Sequence, residues 1–149
     1  MRISAGTCGV LGVVAALTAG CGGGSGEGLD ANGRPLGEGL DPGGPMTASF
    51  SSIQSHVFTP ICTACHAGGA APQGLRLDAT NSYTLLVGVA SAEVPSIRRV
   101  APGDAANSYV IQKLEGHAAI GARMPLGGPY LDATTIGLIR QWIDNGAHP

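Results

Sequence analysis

The sequence predicts an all-α domain over residues 47–149, held behind a leader (1–21) and a linker (22–46). Apolar residues recur at helical spacing in several short runs, opened by capping residues and closed by Gly or Pro. Residues 22–46 hold ten glycines and three prolines and show no apolar periodicity, so they cannot bury enough surface to fold. The stretch Cys62-Thr63-Ala64-Cys65-His66 lies between segments of helical pattern.

A chain of 149 residues with 44% apolar and 12% charged residues is of the size and make-up of one folded domain with flexible segments. Only 4% of it is aromatic, so a self-sufficient core would be thin, which suits a fold wrapped around a large apolar cofactor. The net charge of −2 gives no sign of nucleic-acid binding.

Met1 to Cys21 reads as a targeting segment, with Arg2 as a minimal positive start and an uncharged, apolar run to Ala19. It ends Leu17-Thr18-Ala19-Gly20-Cys21, which resembles the lipobox of bacterial lipoproteins and implies lipidation of Cys21. The usual Leu three before the cysteine is Thr18 here, with Leu17 displaced by one. The alternative is an uncleaved anchor, because Ile3 to Cys21 is 19 uncharged residues, barely enough to span a bilayer. Either way the domain is exported and tethered, on the periplasmic side of a bacterial membrane.

In the folded part, Phe50, Ile53 and Val57 predict a first helix over about residues 50–59, with Ser49 as N-cap. Pro60 opens the next turn and places the cysteine motif on a short helical segment. Ala67 to Gly74 is loop, Leu75-Arg76-Leu77 is extended, and Asp78 or Thr80 caps a second helix with Tyr83, Leu85, Leu86 and Val87. A loop with Pro95, Arg98, Arg99, Pro102 and Gly103 follows. Asp104, Asn107 or Ser108 starts a third helix to about Glu115, burying Tyr109, Val110 and Leu114. Asp132 caps a last helix with Ile136, Leu138, Ile139, Trp142 and Ile143 on its apolar face and Gly146 at C′.

CxxCH in an exported chain is the attachment signature of a c-type haem: two thiols add across the porphyrin vinyl groups, and His66 supplies the proximal nitrogen. Zinc fits less well, since it wants four ligands and His56, His117 and His148 supply no second close pair. A thiol-disulfide motif should close a strand in a strand–helix alternation, which is not the pattern here. With Cys8 leaving in the leader, Cys21 lipidated, and Cys62 and Cys65 on haem, no free thiol remains.

Arg123-Met124-Pro125-Leu126-Gly127-Gly128-Pro129 is the second informative stretch. Pro125 pushes Met124 out of helix, and the surrounding glycines and prolines form an irregular loop suited to presenting a thioether. Met124 is thus the candidate distal ligand, with core filling as its bland role and His117 as the rival, bis-histidine ligand. Met46, at the linker end, is expected to be solvent-exposed, and His56 to be solvated. Arg76, Arg98, Arg99 and Arg123 are candidate partners for haem propionates, or plain surface cations. Pro72 is expected to offer its carbonyl to the second ring nitrogen of His66.

The pieces Cys62-Thr63-Ala64-Cys65-His66, Gly74-Leu75-Arg76-Leu77-Asp78, Pro102-Gly103-Asp104, Asn107-Ser108-Tyr109, Arg123-Met124-Pro125 and Ile139-Arg140-Gln141-Trp142-Ile143 together resemble small cytochrome c domains of the planctomycete type. The resemblance spans almost all of residues 50–147. It implies the cytochrome c fold, in which the first and last helices pack and the haem sits in a cleft. It also implies one covalent haem c on Cys62, Cys65 and His66, with Met124 as distal ligand, and electron transfer to redox partner proteins. Two rivals stay open, a haem enzyme or gas sensor with an open iron position, and a haem-free metal-binding lipoprotein. No Ser-His-Asp set, carboxylate pair or phosphate loop argues for a side-chain enzyme.

Overall fold

The computed structural model describes residues 44–149. The expected leader, Cys21 and the linker up to residue 43 lie outside the described residues. Among the described residues the chain is all-α, with three isolated bridges and no strand. None of the described helices is long and apolar enough to cross a membrane.

Helix α1 (Phe50–Ile53) starts at Ser49, whose hydroxyl accepts the Ser52 N–H at 3.3 Å; Ser52 in turn takes the Thr47 N–H at 2.9 Å. The first bond satisfies one donor that a helix N-terminus leaves orphaned, and the second ties the incoming chain to the first turn. The helix runs on as a π-turn, Gln54–Phe58, closed by the Thr59 N–H on the Gln54 carbonyl at 2.8 Å. The Gln54 side chain bridges the widened turn to Thr59 Oγ1 at 3.0 Å. Pro60, lacking an N–H, stops the helix, and a 3₁₀ turn, Cys62–Ala64, carries the cysteines. The expected 50–59 helix is therefore present, with a π-turn as its second half.

A further 3₁₀ turn, Pro72–Gly74, interrupts the expected loop, and Leu75, which follows it, is extended. Helix α2 (Ser82–Leu86) is shorter than expected. Asp78 accepts from the Asn81 N–H and side-chain amide just ahead of it, and no Thr80 cap forms. Val87 lies beyond the helix, extended and bridged to Val100, because the 88–100 loop folds back alongside it.

Helix α3 (Tyr109–Glu115) has Ser108 at the N-cap position, but its hydroxyl turns backward, bonding Ala101 N and Asp104 O, both at 2.8 Å. The orphan N–H groups of Tyr109 and Val110 go instead to the Arg98 and Arg99 carbonyls. Gly116, at φ +85, ends the helix. Its buried residues are Tyr109, Ile111, Lys113 and Leu114; Val110, expected to be buried, is half-buried. Helix α4 (Ala133–Asp144) is capped by Asp132, which accepts the Thr135 N–H at 2.9 Å. At its other end Gly146 N bonds Ile143 O and Ala147 N bonds Trp142 O, a Schellman closure with buried Ala147 packed inside.

The core joins Ile53, Val57 and Phe58 to Leu86, Ile111, Ile139 and Ile143. Helix α3 packs on α4. The Phe50 ring sits between Tyr83 and Trp142, at 5.0 and 5.6 Å between centroids, so the first and last helices meet through aromatic side chains. Met46 packs against this core rather than standing in solvent: an unbranched apolar side chain gains more by covering the α1 face than by staying hydrated.

Candidate functional site

One apolar cleft of about 280 Å³ opens between the π-turn, the cysteine turn, α3 and the Met124 loop. Cys62, Cys65, His66 and Met124 all lie on its wall, with Val57, Phe58, Leu86 and Leu114 among the apolar residues behind them. Its volume is near the lower end of the range of roughly 300–1,000 Å³ for ligand sites. Ile61 and Leu126 line it and are exposed, marking its mouth.

Local hydrogen bonds set the cysteine turn: His66 N and Cys65 N both reach the Cys62 carbonyl, at 2.8 and 3.2 Å, and Thr63 Oγ1 donates to Thr59 O. Burial pushes the Cys62 thiol up to about 11, so it stays neutral at ordinary pH; Cys65 is exposed. Nδ1 of His66 lies 3.0 Å from the Leu75 carbonyl. A carbonyl only accepts, so Nδ1 carries the proton and donates, and Nε2 keeps its lone pair for a metal. The Pro72 carbonyl, the expected partner, instead accepts the Leu75 N–H at 3.1 Å, because the 3₁₀ turn uses it internally.

The Leu75–Leu77 segment that supplies this acceptor is itself held. Leu77 N donates to His66 O at 2.7 Å, and the buried Gln54 amide donates to Leu77 O at 2.9 Å. Gln54 Oε1 accepts the Ser82 hydroxyl at 2.6 Å, tying α1, this segment and α2 together.

Of the four arginines, Arg99 alone lines the cleft. Its guanidinium bonds Leu85 O at 2.7 Å and Gln73 O at 2.6 Å, and burial pulls its pKa below the usual arginine value. Arg123 turns to Leu114 O and stacks on the Tyr130 ring at 4.1 Å. Arg98 is exposed and reaches Gly88 O at 3.4 Å, and Arg76 is half-buried near Asp78. His117 is exposed, 3.6 Å from Glu115, and is not on the cleft wall. His56 is half-buried and bonded to Ser52 O and Gly44 O rather than solvated.

Sequence reasoning missed a polar cluster on the same wall. Lys113 Nζ lies 2.9 Å from Glu93 Oε2, which also accepts the Tyr109 hydroxyl at 2.9 Å. Lys113 and Tyr109 depress the Glu93 carboxyl, and burial, followed by Glu93, raises the Tyr109 phenol. Lys113 falls on the face of α3 occupied by the buried Tyr109, and a charge at a core register is the signal that could have marked it. Among the described residues, no three His, Cys, Asp or Glu side chains converge, so the described residues offer no four-ligand zinc site of those side chains. Comparison with protein-family models, curated proteins and solved structures returns no match.

Proposed function

We propose that this chain is an exported, membrane-tethered c-type cytochrome that carries one electron at a time, with a cytochrome c-like fold around one covalent haem. The carrying observation is that Cys62, Cys65, His66 and Met124 share one apolar cleft while Leu75 O occupies Nδ1 of His66. The donor set fits the cofactor: two thiols for thioether bonds, an imidazole with Nε2 free, and a soft thioether. The haem, when bound, supplies a reversible one-electron iron couple.

The chain's own residues do the rest. Leu75 fixes the tautomer and ring plane of His66, as outer partners of metal-bound histidines do. Val57, Phe58, Leu86 and Leu114 keep water from the cleft, and an apolar pocket with Met ligation favours the ferrous state. His66 and Met124 would hold the iron from the protein side, and a haem held by both would pass electrons rather than activate oxygen. Redox partner proteins are its partners, and the Cys21 lipid is its tether on the periplasmic side.

The test is the mass and spectrum of protein made in a host with haem-attachment machinery. Denatured protein should keep the haem mass and show a c-type reduced spectrum; Cys62→Ala with Cys65→Ala should lose both. Haem that extracts into acidified organic solvent overturns the reading, and rapid carbon monoxide binding by the reduced protein favours the open-iron rival.

A further inference from the structure

Both ends of the 116–124 segment return to α3. Gly116 N and His117 N bond the Gln112 carbonyl, Arg123 Nε bonds Leu114 O at 2.8 Å, and Met124 N bonds Lys113 O at 2.9 Å. The middle of the segment is held by side chains: the Ile120 carbonyl accepts from the Tyr109 hydroxyl at 2.8 Å and from Lys113 Nζ at 3.1 Å. Glu93, arriving from the 88–100 loop, lies 2.9 Å from the same two groups, accepting from Lys113 and sharing the single Tyr109 proton with the Ile120 carbonyl. Tyr109 and Lys113 are 5% and 9% exposed, so the two donors of this network are largely desolvated, while Glu93 keeps partial access to solvent. Burying a lysine is costly unless its donors are satisfied, and two of its three donors go to Glu93 and Ile120.

Gly121 shows how tightly the segment is fitted. Its φ is +76, and a Cβ there would run into Lys113 Nζ and the Glu93 carboxylate. Without a side chain at 121 the backbone comes down onto the ion pair, and the chain leaving it reaches Met124 three residues later.

On the reading that Met124 ligates the iron, we infer that Tyr109, Glu93 and Lys113 are positioning residues that clamp the 116–124 segment and hold the Met124 thioether in the cleft. A thioether is a weak, neutral ligand, so its occupancy depends on how little entropy the loop loses on binding. A loop already ordered by a buried network loses little. The clamp raises the effective concentration of sulfur at the iron without touching the sulfur.

The experiment is a spectroscopic titration of the ferric holoprotein with imidazole, which must displace Met124 to bind. Tyr109→Phe removes the hydroxyl, whose single proton the Ile120 carbonyl and the Glu93 carboxylate share, at no cost in shape, and Glu93→Gln removes the charge. Each should raise apparent imidazole affinity about tenfold, the equivalent of one buried hydrogen bond to a charged group. In a Met124→Ala background, where no sulfur competes, Tyr109→Phe should change that affinity less than about twofold. Equal rises in both backgrounds would make the network merely structural and overturn the clamp. So would no rise in the Met124 protein, provided Met124→Ala alone strengthens imidazole binding. If Met124→Ala leaves imidazole affinity unchanged, the ligation reading itself has failed and takes the clamp with it.

Discussion

Nδ1 of His66 lies 3.0 Å from the backbone carbonyl of Leu75, nine residues further along the chain. The chain that carries this acceptor is tied two residues further on, at Leu77 O, by the Gln54 amide, whose oxygen receives the Ser82 hydroxyl. A buried glutamine in the π-turn thus braces the segment against which His66 rests.

Gln54→Leu keeps much of the volume but leaves the Leu77 carbonyl and the Ser82 hydroxyl buried without this partner. The expected loss is about 2–3 kcal/mol, read as a lower urea midpoint at unchanged slope. Ser82→Ala alone should cost about 1 kcal/mol, and the double variant should lose less than the sum, because the two side chains share one bond. Strict additivity would mean that the Gln54–Ser82 contact contributes nothing.

Acid should loosen the seam between α3 and α4. Glu115 takes two bonds from Arg140, at 2.8 and 2.9 Å, and that pairing holds its carboxyl below the usual range, with His117 and Arg123 adding to the effect. Because the folded pKa is depressed, the unfolded chain binds the proton first as pH falls. The pair's stabilisation is complete above the ordinary glutamate pKa and is lost as pH drops through the folded value. Both side chains are partly exposed, so it amounts to about 0.5–1 kcal/mol. Arg140→Leu should cost that much near neutral pH and nothing once the pH is well below the depressed folded value of Glu115, measured by urea midpoints across the range. A constant difference at all pH values would assign the loss to packing instead.

Local chemistry is what the sequence exposes. Ser49, Asp132 and Gly146 announce helix ends because caps act within a few residues, and all three sit where the capping pattern puts them. Cys62, Cys65, His66 and Met124 are readable as rare residue types in unusual surroundings, and they line one cleft. What was hidden is carried by groups that every residue has or by distant pairing. Any carbonyl in the loop after His66 could have met its ring. Leu75 was chosen over Pro72 by a 3₁₀ turn whose Gln73 and Gly74 both take positive φ. Lys113 stands out only as a charge at a core register, and its partner Glu93, twenty residues earlier, has no local signal. Val87 left its helix for a bridge to Val100, a contact with no local signal.

On the proposed cytochrome reading, the distal ligand is a choice between Met124 and His117. Met124 lies on the cleft wall and packs against the core, with its N–H fixed to Lys113 O; His117 is exposed, outside the cleft, and 3.6 Å from Glu115. A thioether prefers ferrous iron and raises the potential, so its loss should lower it, on the order of a tenth of a volt or more given the wide range axial ligands command. Met124→Ala should also turn a low-spin ferric spectrum into a high-spin or water-ligated one, with loss of the weak sulfur-to-iron band at the red end. His117→Ala should leave potential and spectrum unchanged, because bringing that ring to the iron would require undoing the Gly116 turn and the Ile120 contacts that follow it. Reversed outcomes would make the iron bis-histidine and the Met-Pro loop structural. Two silent variants would point to an open sixth position, and the protein would then be expected to bind small gases rather than only pass electrons.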